Sequence, residues 1–280
     1  MRLGAGRFVA GETLDACIPV LRRLNEQGLA ANTSILGEAV RDEAATRRVV
    51  EAYHEVLGRL KRESLRANVA LKLTHLGVEL DEEVAFGNVR ELVEHAAALG
   101  NFIRIDMEDS SVTDVTLRIY RRLRDAGLDS VGTVLQSYLL RSEDDLRSVL
   151  PLRPNLRIVK GAYLEPPEIA YSSKRDVDRM YTRLVELSLA GEGYTAVATH
   201  DERLLEHAIA FADENAIGRD RFELQMLYGI RPQLQLDYAR RGFTVRVATP
   251  YGRDWYPFFM RRLAERPANL LFLARNVARR

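Results

Sequence analysis

The chain has 280 residues, 46% of them hydrophobic and 29% charged, with a formal net charge of +1. That composition supports a large core and excludes a disordered chain. The near-neutral balance argues against a general electrostatic footprint for nucleic acid. A single cysteine, Cys17, excludes an intramolecular disulfide and a cysteine-based zinc cluster, and it fits a reducing compartment.

Met1 to Gly6 lack the apolar core of a signal peptide, and no stretch approaches the ~18 apolar residues that a spanning helix needs. The expectation is a soluble, cytoplasmic protein, at most peripheral at the inner face of a membrane. Residues 10–30 read as a helix, with Leu14, Ile18, Leu21 and Leu24 at helical spacing and Gly28 as its stop. Short apolar runs then recur at 34–36, 69–73, 102–105, 131–135, 156–159, 196–199, 222–227 and 244–247. Amphipathic segments lie between them at 43–63, 82–99, 113–126, 176–190, 202–215 and 232–241, and an arginine-rich helix is expected over 254–274.

Strand and helix in regular alternation imply a parallel sheet. Eight such units in a chain of this length favour closure into a single α/β domain, a (β/α)8 barrel over 31–280 preceded by a short helical segment over 1–30. No internal repeat, low-complexity segment or linker marks a further boundary.

In such a barrel the chemistry sits at the C-terminal strand ends. Collecting those ends gives Gly37, Glu38, Lys72, Thr74, Asp106, Glu108, Asp109, Gln136, Tyr138, Lys160, Tyr163, Thr199, His200, Gln225, Tyr228 and 250–253. Glu108 and Asp109 read either as site carboxylates or as the opening and cap of the next helix. Asp106 still belongs to its strand and is expected to pair with Lys72, placed two strands earlier. A metal would need further ligands beside His200, so none is expected.

The run Leu156-Arg157-Ile158-Val159-Lys160-Gly161-Ala162-Tyr163 puts an arginine inside a core strand and a lysine at its end. A buried cation needs a partner, so this strand is expected to end at an anionic or electron-rich ligand. Lys72 and Lys160 also admit a Schiff-base aldolase, since a desolvated lysine at a barrel mouth is a nucleophile. Their other reading is a lysine reaching to solvent at the rim. Arg261 and Arg262, with Glu265 following, read either as a bidentate carboxylate clamp or as a solvated arginine-rich helix. No GxGxxG follows a strand and no GxxxxGK[ST] occurs, so any dinucleotide must be held by the barrel itself.

The strings Val131-Gly132-Thr133-Val134-Leu135-Gln136-Ser137-Tyr138, Arg157 to Tyr163, Ala198-Thr199-His200, Phe222 to Gly229, Tyr251-Gly252-Arg253-Asp254-Trp255 and Arg261 to Pro267 together resemble the bacterial monofunctional proline dehydrogenases. They also resemble the matching domain of bifunctional proline-utilisation flavoproteins. The resemblance runs from about Phe8 to the end. It implies a distorted (β/α)8 barrel, its last helix across the mouth, that binds FAD and oxidises L-proline to Δ1-pyrroline-5-carboxylate. It further implies electron transfer to a membrane quinone and a downstream pyrroline-5-carboxylate dehydrogenase.

By position, the resemblance puts Arg157 beside flavin N5 and makes Asp106 the organiser of the site. Met107, Gln136, Lys160, Gly161, Ala162, Thr199 and His200 match positions that contact FAD. Lys72, Arg261 and Arg262 match the groups that bind the substrate carboxylate, with Tyr163 and Leu227 in the surrounding wall. The chain departs from the family at Ala248, where relatives carry a tyrosine beside the substrate ring; looser recognition, extending to hydroxyproline, is the expectation. Relatives also carry additional helices before the segment matching Phe8.

Overall fold

A computed structural model describes residues 8–37, 40–256, 258 and 260. Eight strands form a closed barrel in sequence order: β1 (Ala30–Ile35), β2 (Ala67–Leu71), β3 (Ile103–Ile105), β4 (Val131–Gln136), β5 (Asn155–Val159), β6 (Tyr194–Ala198), β7 (Phe222–Leu227) and β8 (Val245–Tyr251). Every neighbouring pair is parallel, and β8 closes on β1 over six residue pairs from Ala30↔Arg246 to Ile35↔Tyr251.

Around it lie α1 (Leu14–Glu26), α2 (Glu43–Arg62), α3 (Glu82–Ala98), α4 (Thr113–Asp125), α5 (Ser142–Val149), α6 (Lys174–Ala190), α7 (Glu202–Glu214) and α8 (Pro232–Arg240). The eight-unit expectation is correct, and most predicted boundaries fall within two or three residues. The exceptions are β1, which starts four residues earlier than expected, β8, which runs four residues further, and α1, which is shorter at both ends. The helix α5 was not anticipated. Its eight residues carry three acids in the first turn and only two buried apolar side chains, Leu146 and Val149, too little for a periodic signal.

Local chemistry explains where the helices begin. The carboxylates of Asp42, Asp81 and Asp201 and the hydroxyl of Thr13 accept backbone N–H groups in the first turns of α2, α3, α7 and α1. Each helix presents an apolar face to the barrel, as α2 does with Val50, Tyr53, Leu57 and Leu60. The first helix packs against β1 and β8 and covers the seam where the barrel closes. Cys17 and Leu21 are fully buried there, and burial pushes the Cys17 thiol up to about 11, consistent with a packing role. The predicted helix over 254–274 lies mostly outside the described residues.

On the outer ring, α2 and α3 meet at two histidines. His54 Nδ1 lies 2.5 Å from His95 Nδ1, and His54 Nε2 lies 2.6 Å from Glu91 Oε1. Arg47 grips the same carboxylate bidentately, and that hydrogen bond holds Glu91 down to about 2. Burial and the neighbouring His54 lower the His95 pKa. A folded-state pKa below the ordinary histidine value makes this contact fully stabilising above ~6.5 and weaker as pH falls toward the lowered value. Thermal unfolding is therefore expected to drop between pH 7 and 5 more steeply in the wild type than in His95→Gln; parallel pH curves would contradict the assignment.

Candidate active site

Side chains alternate along each strand between the helical layer and the barrel axis. The hydrogen bonds identify the axial set. Arg104 on β3 reaches the backbone carbonyls of Thr133 and Asn155 and the Asn155 side chain. Arg246 on β8 meets Glu223 on β7 at 2.8 Å and the Ala31 carbonyl at 2.9 Å, and Asn32 bonds Asn68 at 2.6 Å. Arg157, Gln225, Leu227 and Ala248 follow by alternation. The axis is therefore polar, where barrels are more often filled with branched apolar side chains.

Room for this set is built in. A Cβ on Gly132 would lie 2.6 Å from Arg104 Nη1 and 2.3 Å from the Asn155 carbonyl, so only glycine lets that arginine cross. Burial, then the neighbouring Arg157, lower Arg104 to about 9. Burial would raise Glu223, but Arg246 outweighs it and holds the carboxyl below its ordinary range. At the N-terminal end of the barrel a cavity of about 800 Å³ opens onto Arg104, Asn155, Tyr194, Glu223 and Arg246. Arg104 bonds Asn155, and Glu223 bonds Tyr194 and Arg246, which makes this end a polar floor.

At the C-terminal mouth Asp106 stands between two cations. Its Oδ1 accepts from Arg157 Nη2, and its Oδ2 lies 3.5 Å from Lys72 Nζ. Burial would raise the carboxyl; the charges of Arg157 and Lys72 together with their hydrogen bonds outweigh it and keep Asp106 below the usual aspartate range. Lys72 follows the adjacent strand β2, so the expected pair forms, though not from two strands away. Asp106 itself lies just past β3, docked by its N–H on the Leu71 carbonyl at 2.8 Å. The Nε of Arg157 is buried with no hydrogen-bond partner among the described residues.

The remaining predicted residues ring this centre. Met107 packs outward into the core. Gln136 ends β4 and donates to the Glu108 carbonyl at 2.8 Å. Lys160 lies 2.5 Å from Asp178 on α6 and 3.8 Å from Asp201. Gly161 has φ +119°, and a Cβ there would lie 2.2 Å from the Tyr138 ring, so this ring lies flush on the backbone that leads to Ala162 and Tyr163. Thr199 accepts from the Asp201 N–H, and His200 Nε2 accepts from the Leu227 N–H at 2.9 Å, tying β6 to β7. Leu227 is in register with Ala248. Glu38, Arg261, Arg262 and Glu265 lie outside the described residues.

Asp109 does cap, accepting from the Ser111 N–H at the short 3-10 turn before α4. Glu108 does not; its carboxylate is buried and bonded to Thr74. Sequence reasoning missed that bond, the Asp178 partner of Lys160 and the clamp by which Glu165 accepts both the N–H and the hydroxyl of Ser110 at 2.7 Å. It also missed the floor, although Arg104/Asp106 and Glu223/Gln225 show the period-two polar signal of an axial face. Among the described residues no group of three or more His, Cys, Asp and Glu side chains is placed to hold a metal.

Gly161→Ala is expected to lower stability by about 2 kcal/mol, since alanine is strained at this positive φ and its Cβ would collide with the Tyr138 ring. Urea unfolding checks this; an unchanged midpoint would show that Tyr138 gives way.

A sequence model of the family described as proline dehydrogenase matches residues 17–275. Proline dehydrogenase 1 of Bacillus subtilis is 40% identical over 279 residues, covering 100% of this chain and 92% of that protein. The proline dehydrogenase of Deinococcus radiodurans is 43% identical over 277 residues, covering 98% and 89%. Among solved structures, proline utilization A from Bdellovibrio bacteriovorus superposes with a TM-score of 0.86 at 24% identity, covering 92% of this chain and 32% of that one. That structural match supports the barrel. The family model and the near-full-length identities go further, and the chain belongs to the proline dehydrogenase family.

Proposed function

We propose that this chain oxidises L-proline to Δ1-pyrroline-5-carboxylate with FAD, the first step of proline degradation to glutamate, and passes the electrons to a membrane quinone. The observation that carries the reading is Arg157, a cation held in place by Asp106 at the strand end with a buried Nε unclaimed among the described residues. A hydrogen-bond acceptor belongs beside it, which fits an isoalloxazine ring. When bound, FAD supplies the two-electron acceptor, receiving the hydride from proline C5 at flavin N5.

The chain's own residues do the rest. Lys72 is placed to take the substrate carboxylate, and the family resemblance adds Arg261 and Arg262. Fixing that carboxylate leaves the far carbon of a small ring as the end presented for reaction, a gain in orientation. Arg157 favours the negative charge that develops in the transition state, and Asp106 keeps the guanidinium from turning away. Leu227 and Tyr163 form the wall that excludes water, while Met107, Gln136, Lys160, Gly161, Ala162, Thr199 and His200 hold the cofactor. The proposed location is the cytoplasm, peripheral at the inner membrane face where a membrane quinone is within reach. The product is then taken up by a pyrroline-5-carboxylate dehydrogenase.

The aldolase alternative is less favoured. Lys72 faces Asp106, and Lys160 faces Asp178 and Asp201, the opposite of a desolvated apolar setting for a neutral amine.

The purified protein is expected to show a flavin spectrum that bleaches anaerobically with proline; a flavin-free protein that FAD does not reconstitute would sink the reading. Arg157→Met is expected to keep the fold and slow anaerobic flavin reduction by about a hundredfold, the scale of one lost electrostatic donor. Unchanged reduction kinetics would remove Arg157 from the mechanism.

Ala248 offers only a methyl group at the axial position in register with Leu227, where the family resemblance expects a tyrosine. Trans-4-hydroxyproline is therefore proposed as a second substrate. Ala248→Tyr is expected to raise the proline-to-hydroxyproline ratio of kcat/KM by about tenfold, the range that a filled pocket commands; an unchanged ratio would leave Ala248 without a role in specificity.

A further inference from the structure

We infer that Glu108 is a positioning residue that fixes the segments following β1 to β4 against one another and thereby places Lys72 for a carboxylate ligand, an inference that rests on the proline-oxidising reading of the site. Glu108 is only 3% exposed. A carboxylate that deep is costly unless hydrogen-bonded, so its bonds show what holds it. Oε1 accepts the Thr74 backbone N–H at 3.1 Å, and Oε2 accepts the Thr74 hydroxyl at 2.6 Å.

The links extend in both directions. The Thr74 carbonyl accepts the Val40 N–H at 3.0 Å, which brings in the connection after β1. The Glu108 carbonyl accepts the Gln136 side-chain amide at 2.8 Å, which brings in the end of β4. Lys72 precedes Thr74 by two residues, and its carbonyl accepts the His75 N–H at 3.2 Å, closing the turn that Glu108 grips. Asp106 precedes Glu108 by two residues, so the Glu108 carboxylate adds a second tie between the turn that carries Lys72 and the segment that carries Asp106, beside the bond from the Asp106 N–H to the Leu71 carbonyl.

The sign of the effect separates positioning from electrostatics. Removing a carboxylate near Lys72 would, by charge alone, strengthen binding of an anion. Loss of positioning weakens it, because a small misplacement of a binding group is expensive.

The test uses the FAD-loaded enzyme and tetrahydrofuran-2-carboxylate, a five-membered ring acid with no amine to oxidise, titrated by calorimetry. For Glu108→Ala the dissociation constant and the KM for proline are expected to rise about tenfold, with flavin reduction at saturating proline kept within about threefold. Glu108→Gln retains an acceptor for the Thr74 N–H and is expected to stay within about threefold of wild type. A role confined to stability would lower the unfolding temperature of Glu108→Ala and leave the dissociation constant unchanged. That result, or tighter binding, overturns the inference. If Glu108→Ala does not fold, Thr74→Val removes the hydroxyl that Oε2 accepts; binding weakened about threefold supports the inference and unchanged binding overturns it. Wild-type protein that does not oxidise proline refutes the functional reading, whereas active wild type with unaltered variants refutes only the role of Glu108.

Discussion

The mouth of the barrel is organised by one carboxylate. Asp106 lies between Arg157 and Lys72, and neither cation could remain at a largely buried strand end without it. The arrangement satisfies Asp106 on both oxygens while leaving each cation with donors to spare. Two positive groups at fixed separation then face the same opening. A small anionic ligand that meets one of them is oriented toward the other.

Charge at the mouth depends on charge at the floor. Arg104, Glu223 and Arg246 lie on the same axis beneath Arg157, and the described axial side chains carry more cations than carboxylates. Arg104 is satisfied by backbone carbonyls and by Asn155, so it adds positive charge without a neutralising carboxylate of its own. The low Arg104 value records burial first and the repulsion of Arg157 and Arg246 with it. Replacing this floor with branched apolar residues would make a more ordinary barrel core, but it would leave Arg157 and Lys72 as the only cations on the axis. The polar interior is thus a fixed field that favours anions at the open end, set up by folding and requiring no rearrangement when a ligand arrives.

The barrel was legible in the sequence because eight β-rich runs at regular spacing leave few other topologies, and because each surrounding helix but α5 shows its apolar stripe. The C-terminal-end rule then collected most of the mouth, and the strand with Arg157 declared itself by carrying a cation where apolar residues belong. Partners were harder to read. Nothing local to Lys160 points to Asp178 on α6, and nothing local to Glu108 points to Thr74 on the preceding turn, because those bonds form only when neighbouring elements pack side by side. Glu108 and Asp109 illustrate the limit: two adjacent acids, indistinguishable by pattern, of which one caps a turn at the surface and the other is buried between strands. Their difference lies in the partners that folding brings to each, Thr74 to Glu108 and Ser111 to Asp109.

The two halves of the mouth are held by different means, and this bears on which of them can yield to a ligand. On the β1 to β4 side, buried side-chain bonds centred on Glu108 and Thr74 link consecutive strand ends, and breaking them would leave charged or polar atoms without partners in a dry setting. On the β5 side the long connection to α6 is tied to the β4 loop by backbone bonds, Leu140 to Ile169 and Tyr171 to Tyr138, and to the β3 side by Glu165 on Ser110. Between those ties Leu164 is fully exposed. A clamp at the edge, one residue past an exposed leucine, opens at less cost than a buried carboxylate network, so the stretch around Leu164 and Glu165 is the more easily displaced of the two. The half with the costlier bonds to break carries Lys72 and Asp106, so the charged pair at the mouth sits on the side that local opening disturbs least.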